Sequence, residues 1–256
     1  MSGFGKCSLT VALPIISVMG AEAHPLPTAV LSNQTGYDSY KAYSLSDEMS
    51  LFADEWKKLG CSFDAILVGY FNDIRQLYTA QHFIEEFKRD NTILIVDPVM
   101  ADNGSLYDGF TKEMCDKMKS LCLNADVITP NLSELAILAD EKPCNTVDDV
   151  ISCGNKLLSL GVKSIVATGF KKDGIISNIV FENGEVNIVS ANEVGGYYSG
   201  TGDILASVIT GGMVRGMTLL ESVRLATEFI EKAVTATEVE NHNEGIYFEK
   251  YLGDLI

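Results

Sequence analysis

The sequence has few basic residues and no long apolar segment, and both shortages limit what the protein can bind. Its 256 residues include 19 Lys and Arg against 35 Asp and Glu, which gives a formal net charge of −16. A nucleic-acid backbone is bound through clustered Lys and Arg, and anionic membrane surfaces attract basic segments. No apolar run approaches the roughly 18 residues that span a bilayer. We therefore expect neither nucleic acid nor a membrane as a partner.

The six cysteines form no recognisable motif, because no two of them are spaced C-x-x-C. A chain of this length does not need a disulfide framework, and reduced, mostly buried thiols are typical of cytosolic proteins. The apolar residues 8–19 lack the basic n-region and the cleavage site of a signal peptide. A cytoplasmic location is the prediction that follows.

Short apolar runs alternate with amphipathic segments along the chain. The runs are continuous rather than alternating, which favours strands that are covered on both faces. Strands that alternate with helices indicate βαβ units and a mainly parallel sheet. With 46% hydrophobic residues, the chain can form one substantial core, so we expect a single α/β domain over residues 1–256. The predicted strands are 28–31, 65–68, 93–96, 127–128 and 164–167.

Helices are predicted where apolar residues recur on one face, at 74–87 and 219–233. A third helix should begin after Thr146, whose spacing from Asp149 resembles a capping box, and end at Gly161.

Two segments depart from the alternation. In residues 174–190, two apolar stretches flank Asn183-Gly184, a strong hairpin signal, so we expect an antiparallel hairpin at one edge of the sheet. Residues 32–46 are polar, rich in Tyr and Ser, and too long for an ordinary connection. Loops of that length are often lids, and a lid is our prediction for this flap.

Polar residues directly follow several predicted strands, where ligands bind in open parallel sheets. Asp97 and Asp102 can share a hydrated Mg²⁺, or they can be capping acids of a polar loop. Asn131 and Glu134 can face a ligand, or they can form the capping box of a helix. Thr168-Gly169 carries no signal by itself.

The segment Gly200-Thr201-Gly202-Asp203 opens a predicted helix. Its glycines allow the backbone to approach a ligand closely, and free N–H groups with the positive end of the helix dipole make an anion site. An ionised Asp203 there could accept a hydroxyl proton while the site holds a phosphoryl group. The alternative is an ordinary helix start. All these polar segments are expected at one edge of one sheet, which favours a common function.

Taken together, the segments resemble the ribokinase-like kinases, and among them the pyridoxal (pyridoxine, pyridoxamine) kinases. The resemblance runs from residue 2 to about residue 250. Gly-Thr-Gly-Asp indicates only the superfamily, Asp-Pro-Val-Met with Thr-Pro-Asn indicates the vitamin kinases, and Ser-Asn-x-Thr-Gly-Tyr leans toward pyridoxal kinases. These motifs lie at 200–203, 97–100, 129–131 and 32–37, with further matches at 2–6 and 69–70.

The resemblance implies a three-layer α/β/α fold, usually a homodimer, that uses ATP and Mg²⁺ to phosphorylate the 5′-hydroxymethyl group of a B6 vitamer. It implies Asp203 as the base and the backbone N–H groups of Gly200, Thr201 and Gly202 as the anion hole. The other implied roles are ATP binding by Asp97, Thr129, Asn131, Glu134, Thr168 and Gly169, substrate binding by Ser2, Thr35 and Tyr70, and Mg²⁺ binding by Asp102 and Glu134. Thr129 and Thr168 match positions beside a monovalent cation, K⁺ or Na⁺.

One departure and two alternatives accompany the resemblance. Relatives have a strand of about a dozen residues before the segment that begins here at Ser2, and this sequence starts at Met1 without it, so reduced activity is expected. One alternative is a hydroxymethylpyrimidine kinase of thiamin synthesis, although those relatives usually carry Cys where Asp203 stands. The other is a non-catalytic pyridoxal-binding relative.

Overall fold

A computed structural model describes the chain from Met1 to Ile256. Its helices and strands alternate along most of the sequence. The helices are α1 (Leu9–Val18), α2 (Glu48–Lys58), α3 (Ile74–Phe87), α4 (Lys112–Leu123), α5 (Leu132–Ala139), α6 (Val147–Ser159), α7 (Thr201–Val214) and α8 (Leu219–Thr235), followed by the 3₁₀ helices η1 (His242–Glu244) and η2 (Phe248–Leu255). The strands are β1 (Ala29–Leu31), β2 (Ala42–Ser44), β3 (Ala65–Val68), β4 (Ile93–Val96), β5 (Ala101–Asp102), β6 (Ser105–Leu106), β7 (Val127–Ile128), β8 (Ser164–Lys172), β9 (Ile175–Glu182) and β10 (Glu185–Asn192).

The chain divides into two compact units. The first comprises Met1–Tyr43, Lys171–Asn178 and Ile188–Ile256, and the second comprises Ser44–Phe170 and Ile179–Asn187. The single domain expected from the sequence stays a prediction.

The second unit contains most of a six-stranded sheet with the strand order β10-β9-β8-β7-β4-β3. Parallel pairing places Val68 beside Val96, Val96 beside Ile128, and Ile128 beside Ile165. Three of the four residues of β4 are completely buried, as expected for a strand covered on both faces. The mainly parallel sheet predicted from the sequence is therefore confirmed. The predicted strand at 28–31 is the exception, because it forms β1, which pairs with β2 in a separate two-stranded sheet.

The predicted hairpin is also confirmed. Strands β9 and β10 are joined by Asn183-Gly184, and β10 lies at the edge of the sheet. Both turn residues have positive φ, 53° and 80°. That is the conformation of the turn that matches strand twist, and Asn and Gly tolerate it best.

The predicted helices α3 and α8 form where the apolar periodicity placed them, and α6 forms where the capping signals placed it. The capping box of α6 is present, because the Thr146 side chain accepts the Asp149 N–H and the Asp149 side chain accepts the Thr146 N–H. Helix α6 ends at Ser159, and Gly161 follows with φ 112°. Local capping chemistry thus sets the bounds of this helix.

In the first unit, α7 is buried along most of its length and packs against α1 and α8. Helix α7 approaches its neighbours closely at two adjacent glycines, Gly211 and Gly212. A Cβ at Gly211 would meet the Met19 side chain at 2.6 Å from its sulfur, and one at Gly212 would meet Ser222 at 2.5 Å from its hydroxyl oxygen. A side chain at either position would have to displace these neighbouring side chains, so the glycines allow the helix that carries Asp203 to pack closely against the segments around Met19 and Ser222.

Two elements are not evident from the sequence. Helix α1 lies in the apolar segment 8–19 and contains Pro14. It is apolar around most of its circumference, so it lacks the one-sided pattern that identifies amphipathic helices. Strand β2 lies within the predicted flap and pairs with β1, so residues 42–44 of the flap are extended. No helix combines the length and the apolar character that crossing a bilayer requires.

Candidate active site

The segment before α7 turns sharply at Gly200, which has φ 82° and is the N-cap residue of the helix. A Cβ at this position would collide with the backbone carbonyl oxygen of Lys6. Both the left-handed backbone conformation and the close contact require glycine. Gly200 therefore packs the start of α7 against the segment around Lys6.

The first turn of α7 is open. The Ile204 N–H bonds to the Gly200 oxygen at 3.0 Å, so the N–H groups that precede it have no partner within the helix. Gly202 is exposed, and a Cβ built on it would meet no atom within 4 Å. Free N–H groups and open space are the features that a backbone anion site requires, and the anion site at this turn stays a prediction.

Asp203 lies in the same turn and is half-buried. Burial raises the pKa of its carboxyl group to about 6, against an ordinary value of 3.8. A hydrogen bond from the Ser8 N–H and the positive charge of the Met1 ammonium oppose this effect. The carboxylate is thus mostly ionised at neutral pH, yet its affinity for a proton is far higher than that of an exposed aspartate. Those are the properties of a general base.

Residues near the amino terminus surround this carboxylate. The Cys7 thiol has a pKa of about 12, raised first by burial and then by the negative charge of Asp203. Ser2 is buried, donates its hydroxyl to the Phe4 oxygen at 2.9 Å, and also hydrogen-bonds with Cys7. The structure therefore brings Ser2, which the resemblance places at the substrate, into the neighbourhood of Asp203.

The flap is held at its base by a buried glutamine. Gln34 accepts the Gly36 N–H at 2.6 Å and donates to the Asn243 oxygen at 3.2 Å. The Asn243 amide donates in turn to the Gly36 oxygen at 2.8 Å. These bonds tie the flap to η1. Thr35, expected to touch substrate, stands exposed between the two anchored residues.

The second unit contains a separate polar cluster after strands β4 and β7. The Thr129 hydroxyl donates to the Asp97 carboxylate at 2.9 Å. Glu134 is 3% exposed and accepts the Met100 N–H at 3.1 Å and the Asn131 N–H at 2.9 Å. Four of the residues to which the resemblance assigns ATP binding are therefore neighbours: Asp97, Thr129, Asn131 and Glu134.

Glu134 has a pKa well above its ordinary value. Burial is the main cause, the negative charge of Asp97 adds to it, and the backbone N–H groups of Asn131, Met100 and Ala101 oppose it. The Asn131 side chain accepts the N–H of Glu134 at 3.0 Å, which completes a capping box. The capping alternative from the sequence is therefore confirmed for Asn131 and Glu134. The nearby negative charge of Asp97 additionally raises the pKa of Glu134.

The remaining expected residues of the second unit lie at three places. Thr168 donates its N–H to the Pro130 oxygen at 2.9 Å and forms an isolated bridge with Asn131, so it joins the cluster, and Gly169 follows with φ 78°. Tyr70 is half-buried directly after β3. Asp102 ends β5, where its carboxylate accepts the Asn103 N–H at 2.8 Å.

Comparison with known proteins identifies the family. The family model for phosphomethylpyrimidine kinase matches residues 22–247. The chain belongs to this kinase family. The pyridoxal kinase of Dictyostelium discoideum is 30% identical over 223 residues, which cover 80% of this chain and 73% of that protein. The predicted relation to ribokinase-like kinases, and to pyridoxal kinases among them, is confirmed.

Solved kinase structures match the whole chain. A Bacteroides thetaiotaomicron member of the phosphomethylpyrimidine kinase family, crystallised with pyridoxal, has a TM-score of 0.94 and 39% identity, covering 100% of this chain and 92% of that one. Pyridoxal kinase from Lactobacillus plantarum has a TM-score of 0.92 and 29% identity, covering 100% and 93%. The ribokinase-like α/β fold expected from the sequence is therefore confirmed.

The acidic residues of this kinase fit a Mg²⁺ ion that is bound mostly by other ligands. No group of three or more His, Cys, Asp or Glu side chains is arranged to hold an ion by itself. The negative charge of Asp97 raises the pKa of Glu134, and a nearby cation would stabilise both carboxylates in their ionised form. Mg²⁺ in kinases is typically held by one or two carboxylates together with phosphate oxygens and water. The donor set matches that requirement.

Three contributors to the kinase site carried no sequence signal. Ser8 contributes through its backbone, and its side chain type does not reveal this. Gln34 and Asn243 are 209 residues apart, so only the tertiary structure places them together at the base of the flap.

Proposed function

We propose that the protein is an ATP-dependent kinase that phosphorylates the 5′-hydroxymethyl group of pyridoxal, pyridoxine or pyridoxamine. The observation that carries the proposal is Asp203, a carboxylate with a pKa of about 6 in the open first turn of α7. A proton acceptor beside a backbone anion site suits transfer of a phosphoryl group to an alcohol.

Asp203 accepts the proton of the substrate hydroxymethyl group as its oxygen attacks the γ-phosphorus of ATP. The new bond joins that oxygen to the phosphorus, and the bond between the phosphorus and the β–γ bridging oxygen breaks, which leaves ADP. The N–H groups of Gly200, Thr201 and Gly202 stabilise the negative charge of the transferring group. Ser2, Thr35 and Tyr70 contact the vitamin ring, and the flap at 32–46 excludes water that would compete as nucleophile.

In the proposed mechanism, ATP binds to the polar cluster after strands β4 and β7. Asp97, Thr129, Asn131, Glu134, Thr168 and Gly169 bind the nucleotide. Asp102 and Glu134 would hold Mg²⁺, directly or through its water molecules, and the ion supplies positive charge to the phosphate oxygens. Because both Glu134 oxygens already accept backbone N–H groups, contact through water suits this residue. Thr129 and Thr168 would lie beside a monovalent cation, K⁺ or Na⁺.

The nearest alternative is phosphorylation of hydroxymethylpyrimidine, which the name of the matching family favours. Against it stands Asp203, at a position where the resemblance implies Cys for pyrimidine kinases. The pyridoxal kinases among the relatives support a B6 vitamer as the substrate. A non-catalytic binding protein is the other alternative, and a homodimer and a cytoplasmic location remain predictions.

A coupled assay of ADP release with MgATP separates these possibilities. We expect turnover with at least one B6 vitamer, little with hydroxymethylpyrimidine, and a phosphorylated vitamer detectable by mass spectrometry. The Asp203→Ala variant is the control for contaminating kinases. Turnover with the pyrimidine alone would favour the alternative substrate. Pyridoxal binding without ADP release would favour a non-catalytic protein.

A further inference from the structure

We propose that Asn243 is a positioning residue that fixes Thr35 of the flap for contact with the vitamin ring. The role rests on the proposed function, in which Thr35 binds the substrate. Asn243 acts through the two neighbours of Thr35 in the chain, Gln34 and Gly36, rather than on the substrate itself.

The first observation is a set of hydrogen bonds on both sides of Thr35. The Asn243 side-chain amide donates to the Gly36 oxygen at 2.8 Å, and the Asn243 backbone oxygen accepts the Gln34 side-chain amide at 3.2 Å. Gln34 is only 7% exposed, and its side-chain oxygen accepts the Gly36 N–H at 2.6 Å. Both backbone polar groups of Gly36 are therefore bonded, although Thr35 and Gly36 are exposed. The backbone at Thr35 has little freedom to move between these two neighbours.

The second observation is the close packing of the two side-chain amides. A Cβ at Gly36 would lie 2.7 Å from the Asn243 side-chain oxygen and 2.9 Å from both polar atoms of the Gln34 amide. Gly5, which has φ 85°, faces the same pair, and a Cβ there would lie 3.1 Å from the Asn243 backbone oxygen. Glycine at both positions allows this close approach. The contact therefore has one tightly defined geometry.

The neighbours of Asn243 in η1 connect the flap to the rest of the candidate site. The His242 oxygen accepts the Ser199 N–H at 3.2 Å, and the Glu244 oxygen accepts the Lys6 N–H at 3.2 Å. Ser199 directly precedes the glycine turn at the start of α7. Three consecutive residues of η1 thus bond to the flap, to the amino-terminal segment and to the segment that leads to the proposed base.

The flap is also held in register with Ser2, another residue expected at the substrate. The Phe4 oxygen accepts the Ser2 hydroxyl at 2.9 Å and the Gln34 N–H at 3.0 Å. A displacement of Gln34 would therefore move Thr35 relative to Ser2. Loss of the bonds to Asn243 should weaken binding of the vitamer, and it should leave ATP binding at the polar cluster after strands β4 and β7 unchanged.

The isosteric substitution Asn243→Asp tests this role. It replaces the donating amide by a carboxylate oxygen that accepts hydrogen bonds only, so the 2.8 Å contact with the Gly36 oxygen becomes repulsive at constant side-chain volume. Asn241→Asp is the matched control, because it adds the same charge two positions earlier. The exposed Asn241 side chain accepts the Asn243 N–H at 3.0 Å, and a carboxylate oxygen still accepts that bond.

Steady-state kinetics provide the first readout, with MgATP and the B6 vitamer that the wild-type enzyme turns over fastest. Loss of a hydrogen bond that leaves its partner unpaired costs about tenfold in binding. We therefore expect the KM for the vitamer to rise roughly tenfold in Asn243→Asp. A loss of ground-state binding leaves turnover intact, so kcat and the KM for ATP should change less than about twofold. Asn241→Asp should resemble wild type in all three quantities.

Hydrogen exchange of the Gly36 amide provides a second readout that needs neither substrate nor turnover. This N–H is donated to Gln34, whose side chain Asn243 holds in place. Exchange should be faster in Asn243→Asp than in wild type and Asn241→Asp, because the local structure opens more readily. If Asn243→Asp does not fold, Gln34→Glu replaces it in both measurements. That substitution removes the donor to the Asn243 oxygen and keeps the acceptor of the Gly36 N–H.

A folded Asn243→Asp enzyme with the wild-type KM for the vitamer would overturn the proposal. A rise in KM that ATP or the Asn241→Asp control shares equally would also overturn it. Failure of the proposed function would look different. A wild-type protein that turns over no B6 vitamer would remove the kinase assignment, while the exchange rate of the Gly36 amide would still decide whether Asn243 holds the flap.

Discussion

Asp203 and Glu134 are both acidic residues in the first turn of a helix, and the structure uses them in different ways. Glu134 is buried, and three backbone N–H groups surround its carboxylate. Asp203 is half-buried and accepts one backbone N–H, from Ser8. Both pKa values are raised by burial, but only Asp203 lies in a helix turn with open space over its free N–H groups. The backbone bonds of Glu134 stabilise the fold and leave this carboxylate contact with a metal ion through water, whereas the Asp203 carboxylate, with fewer bonds, can exchange a proton with a substrate.

The largest loss of activity is expected from the Asp203→Ala variant. A general base contributes about 10²- to 10⁴-fold to the rate, so we expect kcat to fall by that factor with little loss of ATP affinity. Steady-state kinetics and nucleotide titration measure the two quantities. Near-normal turnover would show that Asp203 is not the base.

The proposed anion site beside Asp203 is tested by Gly202→Val. A Cβ at this position meets no protein atom within 4 Å, so folding should be retained, but the side chain occupies the space over the first turn of α7. Removal of one stabilising donor typically costs about 10²- to 10³-fold in kcat, and we expect a loss of that order. Gly253→Val is the matched control, because Gly253 is also exposed with open space around it. Equal activity of the two variants would contradict the anion site.

The Glu134→Ala variant tests how much the buried carboxylate of Glu134 stabilises the fold. Truncation leaves the buried N–H of Met100 and the partly buried N–H of Asn131 without an acceptor, which should lower the free energy of unfolding by about 2–4 kcal/mol. The matched control is Glu221→Ala, because Glu221 completes the capping box of α8 but is exposed. We expect that variant to lose about 1 kcal/mol or less. Urea denaturation measures both, and similar losses would show that burial does not distinguish the two caps.

The smallest expected effect is a gain in stability from Asp203→Asn. The pKa of Asp203 is about 6 in the folded protein and 3.8 ordinarily, so the folded state binds more protons between these values. Stability therefore falls as pH rises from about 4 to 6 and stays reduced above that. At pH 8 the variant should be more stable than wild type by roughly 1–3 kcal/mol.

Urea denaturation of the wild-type protein and of Asp203→Asn, at pH 8 and at pH 4, measures this difference in stability. The difference should shrink at pH 4, where the wild-type carboxyl group is protonated in the folded state. A difference that does not depend on pH would argue that the ionised carboxylate carries no cost in the folded protein.

Much of the fold could be predicted from the sequence, because its signals are local. Four of the five apolar runs became parallel strands of the six-stranded sheet, and the run at 28–31 became β1 of a separate two-stranded sheet. Asn183-Gly184 became the hairpin turn, and Thr146 with Asp149 became a capping box. Helix α1 was not evident, because an all-apolar helix has no one-sided pattern and Pro14 argues against a helix. The extended residues 42–44 of the flap depend on pairing with β1, which lies across a loop.

The candidate site likewise contains residues that the sequence identifies and residues whose contacts only the structure shows. Gly200, Gly202 and Asp203 are recognisable because a sharp turn, an open helix start and a carboxylate follow each other in the chain. The sequence left Asn131 and Glu134 open between capping and ligand binding, and only the structure shows the capping bonds together with the nearby charge of Asp97.

Local sequence by itself determined where strands, caps and the glycine turn occur, since each depends on residues a few positions apart. The tertiary structure alone decided the proton affinity of Asp203. That affinity depends on how much water the surrounding elements remove and on an N–H from Ser8, which lies 195 positions earlier in the chain (203 minus 8). Desolvation and long-range hydrogen bonds exist only after the chain has folded.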